Sequence, residues 1–366
     1  MIPFERRIEV KLRLIRSAWA VAALALVVAL VGAGWAFTPS VGLASTSNSA
    51  IPRYQHIVEI MMENQKYSTI IGNPDAPQLN ALASKYGLAT DYFGVTHPSE
   101  PNYVANMGGS FFGIQDDNQF YCTPAMATTD THCAGTTVDH TVSAQSLADQ
   151  LTAAGMTWKG YFQSLPPAPA VLVKTGPGAN GPYTFKWPSD SNALYASKHN
   201  PFVNFTGTQD AIANMVPDTQ LATDLSTKSL PDFSLVVPDQ CHDMHGTNGC
   251  GADLIADGDT YVGNMVSQIM ASKQWQEGRN AIVITWDEDD FSDQGEVGTG
   301  CCGADPGGGH VATIVITNKT NKYPITDGTA YNHYSLLRSF EDAFGLPTLA
   351  HAGDAVVPEM TPLFHP

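Results

Sequence analysis

Continuous apolar runs alternate with segments of helical apolar spacing over most of this 366-residue chain. A short apolar run bounded by polar residues is typical of a buried strand, and apolar positions three and four apart are typical of a helix. Buried strands that alternate with helices favour an α/β fold, in which helices sandwich a mostly parallel central sheet. The pattern predicts strands at residues 56–62, 157–162, 233–237, 280–286 and 311–317, and helices at 76–86, 143–154, 257–273 and 334–344.

The first 44 residues follow a different pattern. Five Lys or Arg residues precede an uncharged, mostly apolar run at residues 17–40. This order is typical of a signal peptide, and the run is also long enough for an uncleaved anchor, because about 20 apolar residues span a bilayer. On either alternative, residues 45–53 form a linker and residues 54–366 form a single domain. We expect this domain to be secreted or tethered outside the cytoplasmic membrane, with membrane contact only through an uncleaved leader.

Charge narrows the classes of partner. The formal net charge is −17, and it becomes −20 without the leader, whose net charge is positive by three. Non-specific nucleic-acid binding needs a basic surface, so the sequence predicts no nucleic-acid partner. The same acidity suits solubility outside the cell and, locally, the binding of metal ions.

The six cysteines are an even number in a chain with an export signal, which favours disulfides over a thiolate zinc site. No CxxC spacing is present, and this also argues against zinc. Local pairs are the interpretation that the spacing favours, with the last two cysteines either bridged to each other or paired elsewhere. The pairs are Cys122 with Cys133, Cys241 with Cys250, and Cys301 with Cys302.

Polar side chains follow three predicted strands, where each strand ends. Sites in open α/β sheets form at the carboxyl ends of strands. Carboxylates, an amide and imidazoles together suit a divalent cation, with Mg²⁺, Ca²⁺, Mn²⁺ and Zn²⁺ all open. Taken singly, each group is more simply a solvated loop, but solvated loops do not explain their joint placement after buried strands. The groups are Glu63 and Asn64, Asp239 to His245, and Asp287 to Asp290, with His310 and His333 as further histidines.

Residues 96–103 read Thr-His-Pro-Ser-Glu-Pro-Asn-Tyr and place a serine hydroxyl at the predicted start of a helix. Prolines on either side of Ser99 restrict the backbone, and a short helix follows that ends at Gly108 and Gly109. Ser99 therefore lies at or just before a helix N-terminus, where backbone N–H groups favour an anion such as phosphate. The alternative is that Ser99 only caps the helix.

Five blocks of the sequence are recognisable: MMENQKYSTIIGN, THPSEPNYVANMGG, the DMH of 243–245, ITWDEDD and NHYSLLRSFEDAFGLP. Together, over about residues 56–347, they resemble the bacterial phosphoesterase family of the alkaline-phosphatase-like superfamily. That family contains exported acid phosphatases, secreted phosphoinositide phosphatases and phospholipases C.

The resemblance implies roles for individual residues. Ser99 matches the nucleophile, with Thr96 as the other candidate hydroxyl, and Asn102 would donate to a phosphoryl oxygen. Asp243, His245 and His333 fall where other members bind a second metal or contact phosphate. The implied metal ligands are Glu63, Asn64, Asp287 and Glu288, with Asp243 as a further one.

The function that these residues imply is metal-dependent hydrolysis of phosphate monoesters through a phosphoserine, of acid-phosphatase or phosphoinositide-phosphatase type. The partner would be a phosphate ester, with a phospholipid head group as one option. The alternatives are a phospholipase C-type phosphodiesterase, a catalytically silent surface-binding relative, and transfer of a phosphate-containing head group to an acceptor other than water.

Overall fold

A computed structural model of the chain describes residues 50–117, 140–165, 194–209, 211–292, 307–320 and 322–365, and the backbone of residues 173–174 and 183–184. The predicted leader, most of the predicted linker and four of the six cysteines lie outside these residues. Residues Thr46–Pro366 form one compact unit. None of the helices in the described ranges is long and apolar enough to cross a membrane. Cys241 and Cys250 are joined by a disulfide.

Two kinds of regular element build the described part. The strands are β1 His56–Met62, β2 Gly87–Phe93, β3 Trp158–Phe162, β4 Val173–Lys174, β5 Tyr183–Thr184, β6 Met215–Pro217, β7 Phe233–Val237, β8 Asn280–Trp286, β9 His310–Thr317, β10 Ile325–Asp327 and β11 Tyr331–Asn332. The α-helices are α1 Tyr67–Ile70, α2 Pro77–Lys85, α3 Ser99–Gly108, α4 Leu147–Ala153, α5 Gln220–Thr227, α6 Leu254–Ala271, α7 Lys273–Gln276, α8 His333–Phe344 and α9 Thr361–Phe364. Short 3₁₀ turns cover Ser197–His199, Pro201–Val203, Ile212–Asn214 and Ala350–Gly353.

The central sheet has the order β10-β2-β9-β8-β1-β7-β3-β6 among the described strands, and β11 pairs with β2. All of its pairings are parallel except those that β9 makes with β8 and β2. This confirms the predicted α/β class with a mostly parallel sheet flanked by helices. In the central pair, Met62 of β1 lies opposite Trp286 of β8, so the two strands end at the same level.

The five predicted strands are all present, and 233–237 and 280–286 have the predicted bounds. Strand β2 was not predicted, because its Thr90 and Asp91 interrupt the apolar run. Helix α4 begins after Ser146 rather than Ser143, since the Ser146 side chain and Asp149 form a reciprocal capping box.

Helix α3 is buried along its whole length and packs over the sheet. In the middle of β1, the fully buried Glu59 accepts a 2.8 Å hydrogen bond from Asn106 Nδ2 of this helix. Burial raises the pKa of Glu59 to about 8, against the smaller opposing effect of the Asn106 hydrogen bond. A protonated carboxyl therefore ties the central strand to α3.

A close backbone crossing holds the loop that leads into α3. Gly94 and Gly308 approach each other, with the Gly308 N–H donating to Gly94 O at 2.9 Å. A Cβ at Gly94 would lie 2.7 Å from Asp287 O, and one at Gly308 would lie 2.4 Å from Thr96 O. Glycine is needed here because the backbones pack without room for a side chain.

The raised pKa of Glu59 predicts how pH affects stability. Between the unfolded pKa of 4.5 and the folded value of about 8, the folded state holds a proton that the unfolded state has lost, so this group lowers the free energy of unfolding as pH rises. Glu59→Gln removes that titration. We expect the variant to match the wild type near pH 4.5 and to exceed it by a few kcal/mol, with ~5 kcal/mol as the upper bound, above pH 8.

Urea unfolding of both proteins at pH 5 and pH 8.5 measures this difference, in which other titrating groups cancel. The exposed Glu277→Gln is the matched control and should show no such trend. A wild-type-minus-variant difference that stays constant between the two pH values would contradict the assignment.

Candidate active site

The carboxyl ends of β1, β7 and β8 bring together four acidic side chains that are far apart in sequence. Glu63 directly follows β1, Asp287 and Glu288 follow β8, and Asp243 lies in the loop after β7. Backbone hydrogen bonds fix these segments to one another: the Asp287 N–H donates to Met62 O at 3.0 Å and the Glu63 N–H donates to Asp243 O at 2.8 Å. All four carboxylates are fully buried. The predicted convergence of the strand ends is therefore present.

The Ser99 hydroxyl lies inside this acidic group. Ser99 is the first residue of α3, and its Oγ is 3.1 Å from Glu63 Oε2 and 3.1 Å from Glu288 Oε1. The alternative in which Ser99 only caps the helix is wrong, because the cap residue is Pro98 and no side chain caps the helix there. The other candidate hydroxyl, Thr96 Oγ1, instead donates to His97 O at 3.3 Å.

The Asn64 amide faces the same carboxylates. Its side-chain oxygen lies 3.1 Å from Glu63 Oε2 and 3.2 Å from Glu288 Oε1, whereas the reversed amide would donate hydrogen bonds to both. With Ser99 Oγ, these atoms make a ring of four oxygens with neighbours 3.1–3.2 Å apart. Oxygens that repel one another at this distance become mutually compatible around a cation, and neighbouring ligands of an octahedral Mg²⁺ are about 3 Å apart. The amide thus has two usable orientations: with its nitrogen inward it donates to both carboxylates, and with its oxygen inward it completes the ring around a cation.

Buried negative charge is the second observation that fits a cation. Burial raises the pKa of Glu63, and burial followed by the charge of Glu63 holds the pKa of both Asp243 and Asp287 well above its usual range. Burial also raises the pKa of Glu288 to about 7. Glu63 Oε1, Asp243 Oδ2 and Asp287 Oδ2 are buried without a hydrogen-bond donor. Carboxylates in such surroundings need an opposite charge.

The four atoms that could bind a cation are oxygens of different chemical kinds: carboxylate, amide and hydroxyl. Among the residues that the structure describes, no three His, Cys, Asp or Glu side chains by themselves form a group that could hold a metal ion. The ring draws half of its members from an amide and a hydroxyl. Hard divalent cations accept such oxygens as readily as carboxylates. The predicted ligands Glu63, Asn64 and Glu288 thus face one point, while the contacts of Asp287 and Asp243 hold the segments around it.

His199 is a site residue that the sequence reasoning missed. Its Nε2 lies 3.2 Å from Glu63 Oε1 and its Nδ1 lies 3.5 Å from Asp243 Oδ2, while its ring stacks on Tyr103 at 5.2 Å. Burial, followed by the charge of Lys198, holds its pKa well below the usual range, so the imidazole is neutral. The signal available in the sequence was an adjacent Lys and His flanked by aromatic residues.

His97 was also missed, although it lies in the stretch that carries Ser99. Its Nδ1 is 2.6 Å from Glu288 Oε2 and its Nε2 is 3.2 Å from Asp289 Oδ1. Burial lowers its pKa, but the hydrogen bonds to Asp289 and Glu288 outweigh this and raise it to about 9. His97 is therefore a cation that occupies the second oxygen of Glu288 and leaves Oε1 for Ser99.

Asn102 contacts both the loop before Ser99 and the acidic group. Its Nδ2 donates to Thr96 O at 2.7 Å and to Pro98 O at 3.1 Å, and its Oδ1 accepts from the N–H groups of Val95 and Thr96. The amide is used to shape the loop before Ser99. Nδ2 also lies 3.4 Å from Glu288 Oε2, so the amide reaches the acidic group as well, and its role as a donor to a phosphoryl oxygen stays a prediction.

His333 lies behind the site. Its Nε2 donates to the backbone oxygen of Asp287 at 2.6 Å, and its Nδ1 accepts from the Tyr92 hydroxyl at 3.0 Å. Burial lowers the pKa of His333 to about 4, which agrees with a neutral ring that uses both nitrogens. A ring with both nitrogens engaged is not placed to bind metal or phosphate, so its role is to hold Asp287.

His245 lies at the acidic group, as predicted. Its backbone N–H donates to Asp243 Oδ1 at 2.7 Å, and its ring is 6.0 Å from that of His199. Nδ1 lies 2.8 Å from Gly246 O, and because a carbonyl can only accept, Nδ1 carries the proton. In the neutral ring Nε2 is then free of a proton.

Comparisons with known proteins identify the family and the fold. The model of the Phosphoesterase family matches residues 72–347. The chain is 29% identical to the "Phosphatidylinositol-3-phosphatase" of Mycobacterium tuberculosis over 92% of this chain and 91% of that protein. It is 27% identical to an acid phosphatase of Aspergillus fumigatus over 81% of this chain, and it spans only 56% of that longer protein.

A solved structure shows the same fold. The chain superposes on a protein in the alkaline phosphatase superfamily from Vibrio parahaemolyticus with a TM-score of 0.51 and 12% identity, over 85% of this chain and 70% of the other. The sheet with sites at its strand ends is therefore alkaline-phosphatase-like. From the family match over most of its length, the chain belongs to the Phosphoesterase family and is a hydrolase that acts on phosphoric ester bonds.

Proposed function

We propose that this protein is an exported, metal-dependent phosphomonoesterase of the acid-phosphatase type that uses Ser99 as its nucleophile. The observation that carries the proposal is the position of the Ser99 hydroxyl, 3.1 Å from two buried carboxylates, on the first residue of a buried helix. A serine that serves only the fold has no need of this surrounding charge.

The chain would hold a divalent cation through Glu63, Asn64, Glu288 and the Ser99 hydroxyl, with Asp287 and Asp243 next to them. When bound, the cation lowers the pKa of the serine hydroxyl and offsets negative charge on the phosphoryl oxygens. The proposal leaves Mg²⁺, Mn²⁺, Ca²⁺ and Zn²⁺ open as the cation, since oxygen donors of several kinds with a nearby imidazole accept each of them.

The residues of the chain then have distinct roles. The Ser99 proton is directed at Glu63 Oε2 or Glu288 Oε1. Oγ forms a bond to phosphorus while the ester bond breaks, and the leaving alkoxide takes up the proton that the carboxylate received from Ser99. His245, the imidazole beside Asp243, would take a proton from the water that attacks phosphorus and return it to Ser99 Oγ as the phosphoserine bond breaks. This releases inorganic phosphate and restores the hydroxyl. Catalysis of this kind depends mostly on positioning and charge stabilisation.

The names of the relatives support the choice of a monoesterase. Both proteins that were compared by sequence are phosphatases, and one of them is named for a phosphoinositide. A phosphoinositide head group is therefore the lipid substrate that we would assay first. Export is supported by the basic start and the apolar run at residues 17–40.

The proposal predicts that Ser99→Ala nearly abolishes turnover. Loss of a covalent nucleophile should reduce kcat by at least ~10³-fold, whereas the stability loss from one small buried side chain is about 1 kcal/mol. Thr96→Ala is the matched control, because its hydroxyl bonds only to a backbone oxygen, and it should retain activity within about tenfold. A folded Ser99→Ala protein with near-normal turnover would reject the mechanism and make Thr96 the candidate.

A second prediction concerns the cation. Exhaustive chelation should abolish hydrolysis, and added Mg²⁺ or Mn²⁺ should restore it and raise the melting temperature, because a ligand that binds the native state stabilises it. Glu288→Gln should weaken both effects, whereas the exposed Glu277→Gln should leave both intact. Full activity in metal-free protein, established by elemental analysis, would exclude the cation from the reaction.

A third prediction concerns location. Protease treatment of intact cells, or analysis of the medium, should find residues 54–366 outside the cytoplasmic membrane. Replacement of the apolar residues 21–32 by a charged segment should retain the protein in the cytoplasm, since the run would no longer insert. Protein found only in the cytoplasmic fraction of wild-type cells would overturn this part of the proposal.

A further inference from the structure

One cation reaches the Ser99 hydroxyl from a segment that the mechanism above does not use. Lys198 Nζ lies 3.4 Å from Ser99 Oγ and 2.7 Å from Asp117 Oδ2. It comes from the 3₁₀ turn Ser197–His199, whose next residue, His199, approaches Glu63 Oε1 at 3.2 Å. One turn therefore delivers two adjacent side chains to different atoms of the site, Lys198 to the Ser99 hydroxyl and His199 to Glu63.

Asp117 fastens this ammonium to the helix of the nucleophile. Its Oδ1 accepts the backbone N–H of Glu100 at 3.0 Å, in the first turn of α3, and its Oδ2 holds Lys198 Nζ. The lysine side chain is 12% exposed and that of Asp117 is 31% exposed. The pair therefore fixes the ammonium at the edge of the acidic group, beside the Ser99 hydroxyl, with part of its surface still open to solvent.

The position of Nζ fits a substrate oxygen. A phosphorus atom poised for attack lies about 3–3.5 Å from the nucleophile oxygen. An ammonium 3.4 Å from the same oxygen is within reach of the oxygens that phosphorus carries. The oxygens that we predict to bind the cation lie beside Ser99. Lys198 reaches Ser99 from a separate segment, where it is paired with Asp117. The cation and the lysine ammonium can therefore both contact the ester.

We propose that Lys198 binds a non-bridging oxygen of the phosphate ester and selects dianionic monoesters over monoanionic diesters. This inference rests on the proposed function and names the feature that sets its substrate class. A monoester is mostly dianionic near pH 7.5, because its second pKa is about 6, whereas a diester carries one charge at any such pH. Because of this additional charge, binding and turnover of the monoester should depend more strongly on the Lys198 ammonium than those of the diester.

The experiment compares 4-nitrophenyl phosphate with bis(4-nitrophenyl) phosphate at pH 7.5 and saturating Mn²⁺. Lys198→Met should reduce kcat/KM for the monoester by about 100-fold and for the diester by less than about fivefold. Lys198→Arg, which keeps the charge, should recover part of the monoester activity. Lys228→Met is the matched control, since Lys228 is exposed and pairs with Glu277 at 2.8 Å, and it should change neither value.

Binding of inorganic phosphate separates this inference from the proposed function. Its dissociation constant, measured by calorimetry, should rise by about tenfold or more in Lys198→Met. If the wild type hydrolyses neither ester, the proposed function fails, and the phosphate measurement still decides the role of Lys198. Equal losses on the two esters, or an unchanged phosphate affinity, would overturn the inference.

A second variant covers the case in which Lys198→Met does not fold. Asp117→Asn keeps the Oδ1 acceptor for the Glu100 N–H and removes the charge that holds the ammonium. It should lower the monoester-to-diester ratio of kcat/KM in the same direction, by about tenfold. A ratio equal to that of the wild type would count against Lys198 as the selecting group.

Discussion

Four fully buried carboxylates at one edge of the sheet are the constraint on which the rest of the site depends. Like charges that are removed from water repel each other and lose hydration, so they persist only with opposite charge or with bound protons. In this chain Glu63, Asp243, Asp287 and Glu288 meet that condition, and burial raises the pKa of each. The neighbouring cationic and amide groups follow from this requirement. His97 neutralises one oxygen of Glu288, Lys198 approaches Ser99 from the turn Ser197–His199, and the Asn64 amide lies against Glu63 and Glu288.

The backbone makes this arrangement possible. Parallel strands β1 and β8 end at the same level, and hydrogen bonds from Asp287 to Met62 and from Glu63 to Asp243 lock the three segments together. The glycine crossing at Gly94 and Gly308 brings the loop before Ser99 against this edge, and Asn102 shapes that loop from within α3. His333 holds the backbone of Asp287 from behind. The acidic groups are thus fixed by main-chain contacts, and their side chains remain available for a ligand.

The sequence was sufficient to predict the parts that depend on local pattern. Strands 233–237 and 280–286 were placed correctly because long apolar runs between polar residues have few other interpretations, and the joint position of Glu63 and Asp287 followed from parallel strands. Local pattern could not identify Lys198, His199 or Asp117. These residues lie outside the long apolar runs, in segments that reach the site only when the whole chain is folded. Local pattern also could not separate contact with a substrate from support behind the site, and only the contacts of His333 with Tyr92 and Asp287 place this ring behind the site. Which atoms a polar side chain uses is decided by neighbours that are distant in sequence.

The central claim is that a divalent cation is held among Glu63, Asn64, Ser99 and Glu288. The most direct measurement is a crystal of residues 54–366 grown with Mn²⁺, with anomalous diffraction recorded on the long-wavelength side and the short-wavelength side of the manganese absorption edge. The account predicts a strong anomalous peak among Glu63 Oε2, Asn64 Oδ1, Ser99 Oγ and Glu288 Oε1, with the Asn64 oxygen directed at it. Crystals in which Mn²⁺ is present but gives no peak at this position, or in which the Asn64 nitrogen faces the two carboxylates, would contradict the account.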